Sequence, residues 1–337
     1  MSAETRDSTP LHTPICDELG IRYPLFLAGM GGVSMHDLVA AVSNAGGLGV
    51  IGAASLGSEE LRSEIRKTRK LTDKPFAVDL LAPIPDAIRP HMKVIFEEEV
   101  QIFVAGLAVP KEFIDEMHER GMKVVVMTGK VSHAVRAEEA GADVVVAQGT
   151  EAGGHTGEIG ALALVPQIVD TVKIPVLAAG GIVDGRGLVA ALALGAQGVV
   201  IGTRFIASRE ATAAPSYQQA ILRAADDSTV RTRCYTGKPA RTIRNPYVAT
   251  LEREPAKIQP FPHQANYSSE QGVMDYVGRS GDCDPQRTFM PAGQGSGSIH
   301  DVRPAGDILR DIVAEAERII AEKFAAPSAK PRSEARA

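Results

Sequence analysis

Apolar runs of three to five residues recur along the chain from Tyr23 to Ile206, with longer amphipathic patterns between them. Polar residues are nearly absent from these runs, which is typical of parallel strands buried on both faces. The pattern therefore predicts an α/β fold with eight strands. The predicted strands are Pro24–Leu27, Leu48–Ile51, Phe76–Leu80, Ile102–Val104, Val124–Met127, Val144–Ala147, Val176–Ala178 and Val199–Ile201.

The segments between these strands carry apolar residues at helical spacing, and several end in a glycine. Gly46, Gly121, Gly141 and Gly195 hold this position, where a helix commonly closes with a left-handed residue. Eight β/α units within about 200 residues are typical of a compact (β/α)8 TIM barrel. The predicted helices include Met35–Asn44, Ser58–Leu71, Lys111–Arg120, Val131–Ala140, Leu164–Val172 and Gly187–Leu194.

A doubly wound sheet is the alternative arrangement of such units. Its nucleotide-binding signature would follow the first strand with the spacing G-x-G-x-x-G. Residues 28–32 read Ala-Gly-Met-Gly-Gly, which lacks that spacing, and the strongest glycine pairs come late in the chain. The late position favours the barrel, whose phosphate sites lie at its last two turns.

The pattern changes after Ala207. Arg209–Asp227 has a helical pattern, Thr229–Ser298 is rich in Pro, Gly, Arg and polar residues, and Pro304–Phe324 is an amphipathic helix. A long loop-rich insertion in a compact enzyme is usually functional, so we expect a loop-rich and helical cap over the barrel mouth. The predicted division is a barrel at residues 15–207 with a packed terminal helix at 304–324, a cap or substrate lid at 208–303, and flexible termini at 1–14 and 325–337.

Composition restricts the partners. The 337 residues are 44% hydrophobic, carry a formal net charge of −5 and include no tryptophan, with neither a basic block nor an acidic run. This argues against nucleic acid or an anionic membrane as the main partner. Cys16, Cys234 and Cys283 are far apart and odd in number, so we expect neither disulfides nor a metal site. Met1–Pro14 lacks the apolar core of a secretory signal, and we expect a cytoplasmic protein.

Three glycine-rich loops follow consecutive late strands. Gly180-Gly181 and Gly202-Thr203-Arg204 would let backbone N–H groups approach a phosphate, with the Thr203 hydroxyl and the Arg204 guanidinium as further donors. The alternative is that these glycines only make tight turns. Paired phosphate loops at the last two strands recur in TIM barrels, which favours a bound phosphate ester.

His155 lies in the first of these loops, between Gly153-Gly154 and Gly157. Its neutral imidazole could serve as a general base near neutral pH, or the residue could be structural. Gln148, at the end of its strand, could bind the polar edge of a ligand or cap the loop. Asp79, in an apolar run, could accept a hydrogen bond from a ligand or from the neighbouring backbone. The run at residues 291–297 either folds over the ligand or is a flexible linker.

The chain resembles the nitronate monooxygenases, formerly called 2-nitropropane dioxygenases, over nearly everything from Ile15 to about Phe324. The same barrel and a similar histidine loop occur in flavin-dependent enoyl-[acyl-carrier-protein] reductases and in NADH:quinone reductases. The motifs are therefore specific for the superfamily and less so for the substrate. The resemblance rests on Pro24–Gly32, Asn44–Gly49, Gln148–Gly157, Ala178–Gly187, Ile201–Phe205 and Pro291–Gly295.

This resemblance implies FMN bound without a covalent linkage. The cofactor phosphate would lie on Gly180, Gly181, Gly202 and Thr203. The residue matching Asp79 is usually an asparagine in such enzymes, and an aspartate there would place a negative charge near the flavin and lower its reduction potential. Further expected contacts are Ala28, Gly29 and Met30 at the isoalloxazine, Gln148 and Gly153 along the ribityl chain and ring, and Gly154 and Gln294 in the adjoining loops.

The resemblance also implies the reaction. We expect O2-dependent oxidation of an alkyl nitronate to a carbonyl compound and nitrite, with His155 deprotonating a nitroalkane where that is the substrate. The alternative is an NAD(P)H-dependent flavin reductase that acts on an enoyl thioester or a quinone. A barrel that only binds a phosphorylated ligand is a third interpretation, which the histidine loop disfavours. The expected partners are a small-molecule substrate and O2, without nucleic acid or membrane, and the oligomeric state is left open, with a homodimer as one option.

Overall fold

Eight parallel strands form a closed barrel in the computed structural model, which describes residues 9–81, 85–278 and 281–324. The ends of the sheet meet where Phe26 pairs with Leu48, and the Leu27 N–H donates to the Leu48 carbonyl at 2.9 Å. A short strand outside the barrel, β7 (Gly154–His155), lies in the loop after β6 and belongs to a second sheet. The barrel strands are β1 (Leu25–Leu27), β2 (Gly49–Gly52), β3 (Phe76–Leu81), β4 (Ile102–Gly106), β5 (Lys123–Thr128), β6 (Val144–Gln148), β8 (Val176–Ala179) and β9 (Gly198–Ile201).

The spatial order of the strands confirms the predicted TIM barrel. It runs β1-β9-β8-β6-β5-β4-β3-β2, so each strand lies beside its neighbour along the chain and the first lies beside the last. A doubly wound sheet would instead reverse its strand order at a switch point. All eight strands overlap the predicted apolar runs, because a strand buried on both faces has no polar face to obscure its limits.

Helices surround the barrel and connect its strands. Gly46, Gly121, Gly141 and Gly195 have φ values of 101°, 71°, 96° and 92°, so each takes the left-handed conformation predicted for a helix end. The helices are α1 (Pro14–Leu19), α2 (His36–Asn44), α3 (Ser58–Leu71), α4 (Pro85–Glu97), α5 (Lys111–Glu119), α6 (Val131–Glu139), α7 (Ala161–Val169), α8 (Gly185–Ala193), α9 (Thr203–Ile206), α10 (Pro215–Leu222), α11 (Pro246–Glu252), α12 (His263–Glu270) and α13 (Ala305–Lys323).

The barrel interior is packed and closed at the amino ends of its strands. Inward-facing residues such as Phe26, Val104 and Leu177 share one apolar cluster with Ile15 and Leu19 of α1. This short helix, which was not predicted from the sequence, covers the end of the barrel at which the strands begin. In a TIM barrel the ligand site lies at the opposite end, where the strands finish and the connecting loops begin.

The last helix completes the outer layer. The buried residues Ile308, Leu309 and Ile312 of α13 belong to the core cluster, and the helix packs against α8 and α2. A Cβ atom on Gly185 would lie 2.5 Å from the Ala316 nitrogen, so α8 and α13 approach each other closely at this glycine.

The segment between α10 and α13 contains strands that the sequence analysis did not predict. β10 (Thr229–Thr232) and β11 (Ala240–Ile243) form an antiparallel hairpin, and β11 also pairs with β7. These strands are only four residues long and rich in Thr and Arg, so they lack a recognisable apolar run. Their pairing places the hairpin directly on the histidine loop. In the ranges given above, no helix is long and apolar enough to cross a membrane.

Candidate active site

One ring of side chains faces the open end of the barrel. Side chains alternate along a strand, and the inward set includes Phe26, Ala77, Val125, Val146 and Val200. The inward positions two residues further along these strands lie at the mouth. They are Ala28, Asp79, Met127, Gln148 and Gly202.

The two late glycine loops lie side by side, because β8 pairs with β9. Gly180 and Gly181 have φ values of 106° and 72°, and a Cβ on Gly180 would be 3.2 Å from the Gly149 carbonyl oxygen. A Cβ on Gly202 would be 3.3 Å from that of Ala28 and 3.5 Å from the Met30 sulfur. The glycines thus keep the backbone exposed where side chains would fill the space, as a phosphate cradle requires.

The segment at residues 291–297 crosses all three glycine loops. The Gly293 N–H donates to the Thr203 hydroxyl at 3.0 Å, and the Gln294 N–H donates to the Glu151 carbonyl at 2.9 Å. A Cβ on Gly153 would lie 2.8 Å from the Ala292 backbone. Of the two alternatives for this segment, the structure supports a fixed cover rather than a linker. The Gln294 side chain itself is exposed, so its backbone makes the contact.

Arg204 does not belong to this cradle, contrary to the sequence analysis. Its buried guanidinium donates to the Asp301 carboxylate at 2.9 Å and to the Asp301 and Ala207 carbonyls at 3.0 and 3.2 Å. Thr203 and Arg204 are successive residues of α9, and successive side chains of a helix point in different directions. Arg204 therefore links the barrel to the segment around Asp301, which precedes α13. Of the two residues, only Thr203 contacts the glycine loops.

His155 lies on β7 beneath the β10–β11 hairpin. Its Nε2 atom is 2.9 Å from the hydroxyl of Thr236, which donates to the Lys238 carbonyl at 3.2 Å. When the hydroxyl proton is donated to that carbonyl, the hydroxyl oxygen accepts from His155. This arrangement places the imidazole proton on Nε2 and leaves Nδ1 as the basic nitrogen. Burial, with a smaller effect of the Lys238 charge, lowers the pKa of His155 to about 4. The imidazole is therefore neutral at neutral pH.

Lys238 is a candidate residue that the sequence analysis missed. Its ammonium lies 4.4 Å from the centre of the Phe261 ring, and no carboxylate within ion-pair distance occurs in the part of the chain that the structure describes. The Gly237-Lys238-Pro239 turn is visible in the sequence. Nothing local connects it to His155, because the pairing of β11 with β7 creates that proximity.

Asp79 is buried at the mouth without a partner. Its carboxyl makes no hydrogen bond or ion pair with any described residue, and burial raises its pKa to about 8. A Cβ on Gly29 would lie 2.2 Å from the Asp79 Cβ, so this glycine makes room for the aspartate. The carboxyl is therefore mostly protonated at neutral pH. The raised pKa argues against the negative charge expected at this position from the sequence. The alternative, a bond to the neighbouring backbone, is not formed among the described residues.

The fold is that of a (β/α)8 enzyme, with its glycine-rich loops and His155 gathered at the carboxyl ends of the strands. The nitronate monooxygenase family profile matches residues 12–93 and 88–315. A probable nitronate monooxygenase of Staphylococcus saprophyticus is 37% identical over 300 residues, covering 75% of this chain and 84% of the relative. The chain belongs to the nitronate monooxygenase family, as the sequence resemblance predicted, and is a flavin-dependent oxidoreductase.

Two further proteins bear on the reaction. The (3aS,4S,5R,7aS)-5-hydroxy-7a-methyl-1-oxo-octahydro-1H-indene-4-carboxyl-CoA dehydrogenase of Rhodococcus jostii is 42% identical over 244 residues, covering 72% of this chain and 68% of the relative. The structure of FabK from Thermotoga maritima superposes with a TM-score of 0.84 at 38% identity, covering 92% of this chain and 97% of that one. Proteins of similar identity to this chain therefore carry different names, so identity alone does not select the reaction.

The residues at the mouth fit a phosphorylated flavin. Gly180, Gly181 and Gly202 leave a cradle that side chains would fill. The side chains of Asp79 and Gln148 make no hydrogen bond to a described residue, and that of Gln148 is only partly buried, so both are free to bind a ligand. A ligand with a phosphate at one end and a polar ring edge at the other would satisfy both features. Groups of acidic, His and Cys residues able to hold a metal ion are absent from the described ranges.

Proposed function

We propose that this protein is an FMN-dependent nitronate monooxygenase that oxidises alkyl nitronates with O2 to a carbonyl compound and nitrite. The charge balance beside His155 carries the proposal. Lys238 supplies a positive charge there, and Arg241, which lies opposite Gly154 and donates to the Thr150 carbonyl, supplies a second. Burial favours the neutral forms of His155 and Asp79. Such a mouth attracts a small anion and contains no ionised carboxylate in its inward-facing ring to repel it. Family membership and the Staphylococcus relative support the same substrate class.

FMN would lie with its phosphate on Gly180, Gly181, Gly202 and Thr203, and with its ring near Ala28, Gly29, Met30 and Asp79. Gln148 would bind a polar group of the cofactor, Gly153 and Gly154 would border it, and the segment containing Gln294 would cover it. When bound, the flavin would supply the electron-accepting chemistry between the nitronate and O2.

The protein residues would act on the substrate by binding and by moving one proton. Lys238 would hold the nitronate oxygens by charge. The Nδ1 atom of His155 would accept the proton of a neutral nitroalkane, but the lowered pKa weakens this base by about 3 kcal/mol relative to an ordinary histidine. We therefore expect preformed nitronates to be much better substrates than nitroalkanes.

An anaerobic spectrum of the purified protein tests this proposal. Ethyl nitronate and NADH or NADPH would be added to separate samples. We expect ethyl nitronate to change the flavin spectrum, NAD(P)H to leave it oxidised, and admitted O2 to yield nitrite. Rapid bleaching by NAD(P)H with no response to the nitronate would overturn the proposal.

That second outcome would favour the alternative reaction, in which NAD(P)H reduces the flavin and the flavin reduces an enoyl thioester or a quinone. The carboxyl-CoA dehydrogenase at 42% identity favours a thioester. Turnover of a short enoyl-CoA and of a quinone with NAD(P)H would then distinguish the two electron acceptors.

A further inference from the structure

Asp79 occupies an unusual place for an acidic side chain. It follows Ala77 on the inner face of β3, in register with Gly52 of β2 and Val104 of β4. Only 7% of its surface is exposed. A carboxylate in such a place would lose most of its hydration, and an unpaired buried charge costs several kcal/mol.

Among the described residues, the elements around Asp79 offer nothing that would stabilise an ionised carboxylate. The end of β1 contributes Gly29, whose added Cβ would lie 2.6 Å from Asp79 Oδ2. β2 contributes Gly52, and β4 contributes Val104 and Gly106. These residues carry neither charge nor a titratable group, and burial is the one cause of the raised pKa. The pocket around this side chain is built for a neutral group.

We propose that Asp79 acts as a neutral carboxylic acid whose proton is donated in a hydrogen bond to the flavin ring. In this role it could stand where the resemblance implies an asparagine, because each group is uncharged and combines a carbonyl acceptor with a donor, the O–H of the acid or the NH2 of the amide. The substitution therefore preserves a donor at neutral pH instead of adding a negative charge beside the ring. The inference rests on the flavin and is independent of the nitronate reaction.

The aspartate differs from an asparagine in one property, since it can lose its proton. The pKa of about 8 refers to the chain without a bound flavin. Donation of the proton to the ring, and negative charge gained by the ring on reduction, would both raise that pKa further. Above pH 8, each two-electron reduction would therefore bind one additional proton to the Asp79 carboxylate. This extra proton would lower the equilibrium constant for flavin reduction by a further factor of ten per pH unit. For a two-electron reduction, that factor corresponds to an additional fall of about 30 mV in the midpoint potential per pH unit.

The test is a comparison of wild-type holoenzyme with Asp79→Asn by electrode titration of the bound flavin from pH 6 to pH 10. The two potentials should nearly coincide below pH 7. Above pH 8 the wild-type potential should fall more steeply, by about 30 mV per pH unit. A wild-type potential that lies below the variant by the same amount at every pH would overturn the proposal, because the carboxylate would then be ionised throughout.

Infrared difference spectra between oxidised and reduced wild-type holoenzyme provide a test that needs no variant. We expect a carbonyl band of a protonated carboxylic acid that responds to flavin reduction and shifts when aspartate is labelled with 13C. If no labelled carboxylic acid band occurs at pH 7, the neutral form is excluded. Neither measurement uses a nitronate, so a different natural substrate would leave both results intact.

Discussion

Replacement of His155 by asparagine tests whether the buried imidazole is a base. A positioned general base usually contributes about 10²–10⁴-fold to a rate. Burial lowers the pKa of His155 from 6.5 to about 4, which places its contribution at the low end of that range. We expect His155→Asn to lower kcat/KM for nitroethane by about 100-fold, and for ethyl nitronate, which needs no deprotonation, by less than about tenfold.

The assay is the initial rate of nitrite release with each substrate, between pH 5 and pH 8.5. Because a base must be unprotonated, the wild-type rate with nitroethane should rise through about pH 4 and be level across this range. Thr236→Val serves as a matched control, since it removes the acceptor of the Nε2 proton and keeps the imidazole. We expect this control to lower the rate with nitroethane by a smaller factor than His155→Asn does, because the imidazole remains, and to leave the rate with ethyl nitronate nearly unchanged. Equal losses with nitroethane and ethyl nitronate in His155→Asn would refute the assignment of His155 as the base.

Three further predictions concern charge and packing. Lys238→Gln should raise KM for ethyl nitronate about tenfold, as expected for a lost charge-assisted contact, while Lys238→Arg should keep most of the affinity. Steady-state kinetics at two salt concentrations would check this, and an unchanged KM would contradict it. Gly185→Ala should destabilise the protein by about 1–3 kcal/mol, because its Cβ would lie 2.5 Å from the Ala316 nitrogen of α13; thermal unfolding would show no change if the helices can separate freely. The flavin-free form of Asp79→Asn should be more stable than wild type at pH 7 by a few kcal/mol. The reason is that the raised pKa of Asp79 makes wild-type stability fall between about pH 4 and pH 8. Urea titrations should find this difference shrinking toward pH 4, and a difference that grows on acidification would show that folding lowers the pKa of Asp79.

The sequence by itself determined the barrel and the location of its glycine loops. Strands buried on both faces need unbroken apolar runs, and a helix that ends in a left-handed turn favours glycine. Both requirements act within a few neighbouring residues. They were sufficient to place Gly180, Gly181, Gly202 and His155 after strands of one barrel, and hence at one end of it.

Only the tertiary structure decided what the side chains at that end do. The hairpin that brings Thr236 to His155 joins residues 81 positions apart, and its short polar strands have no local pattern. Arg204 was expected at the phosphate and instead binds Asp301, 97 positions away. Asp79 reads as a negative charge in the sequence, but its ionisation depends on the solvent and charges around it. Proton affinity and side-chain direction are set by neighbours that only the folded chain brings together.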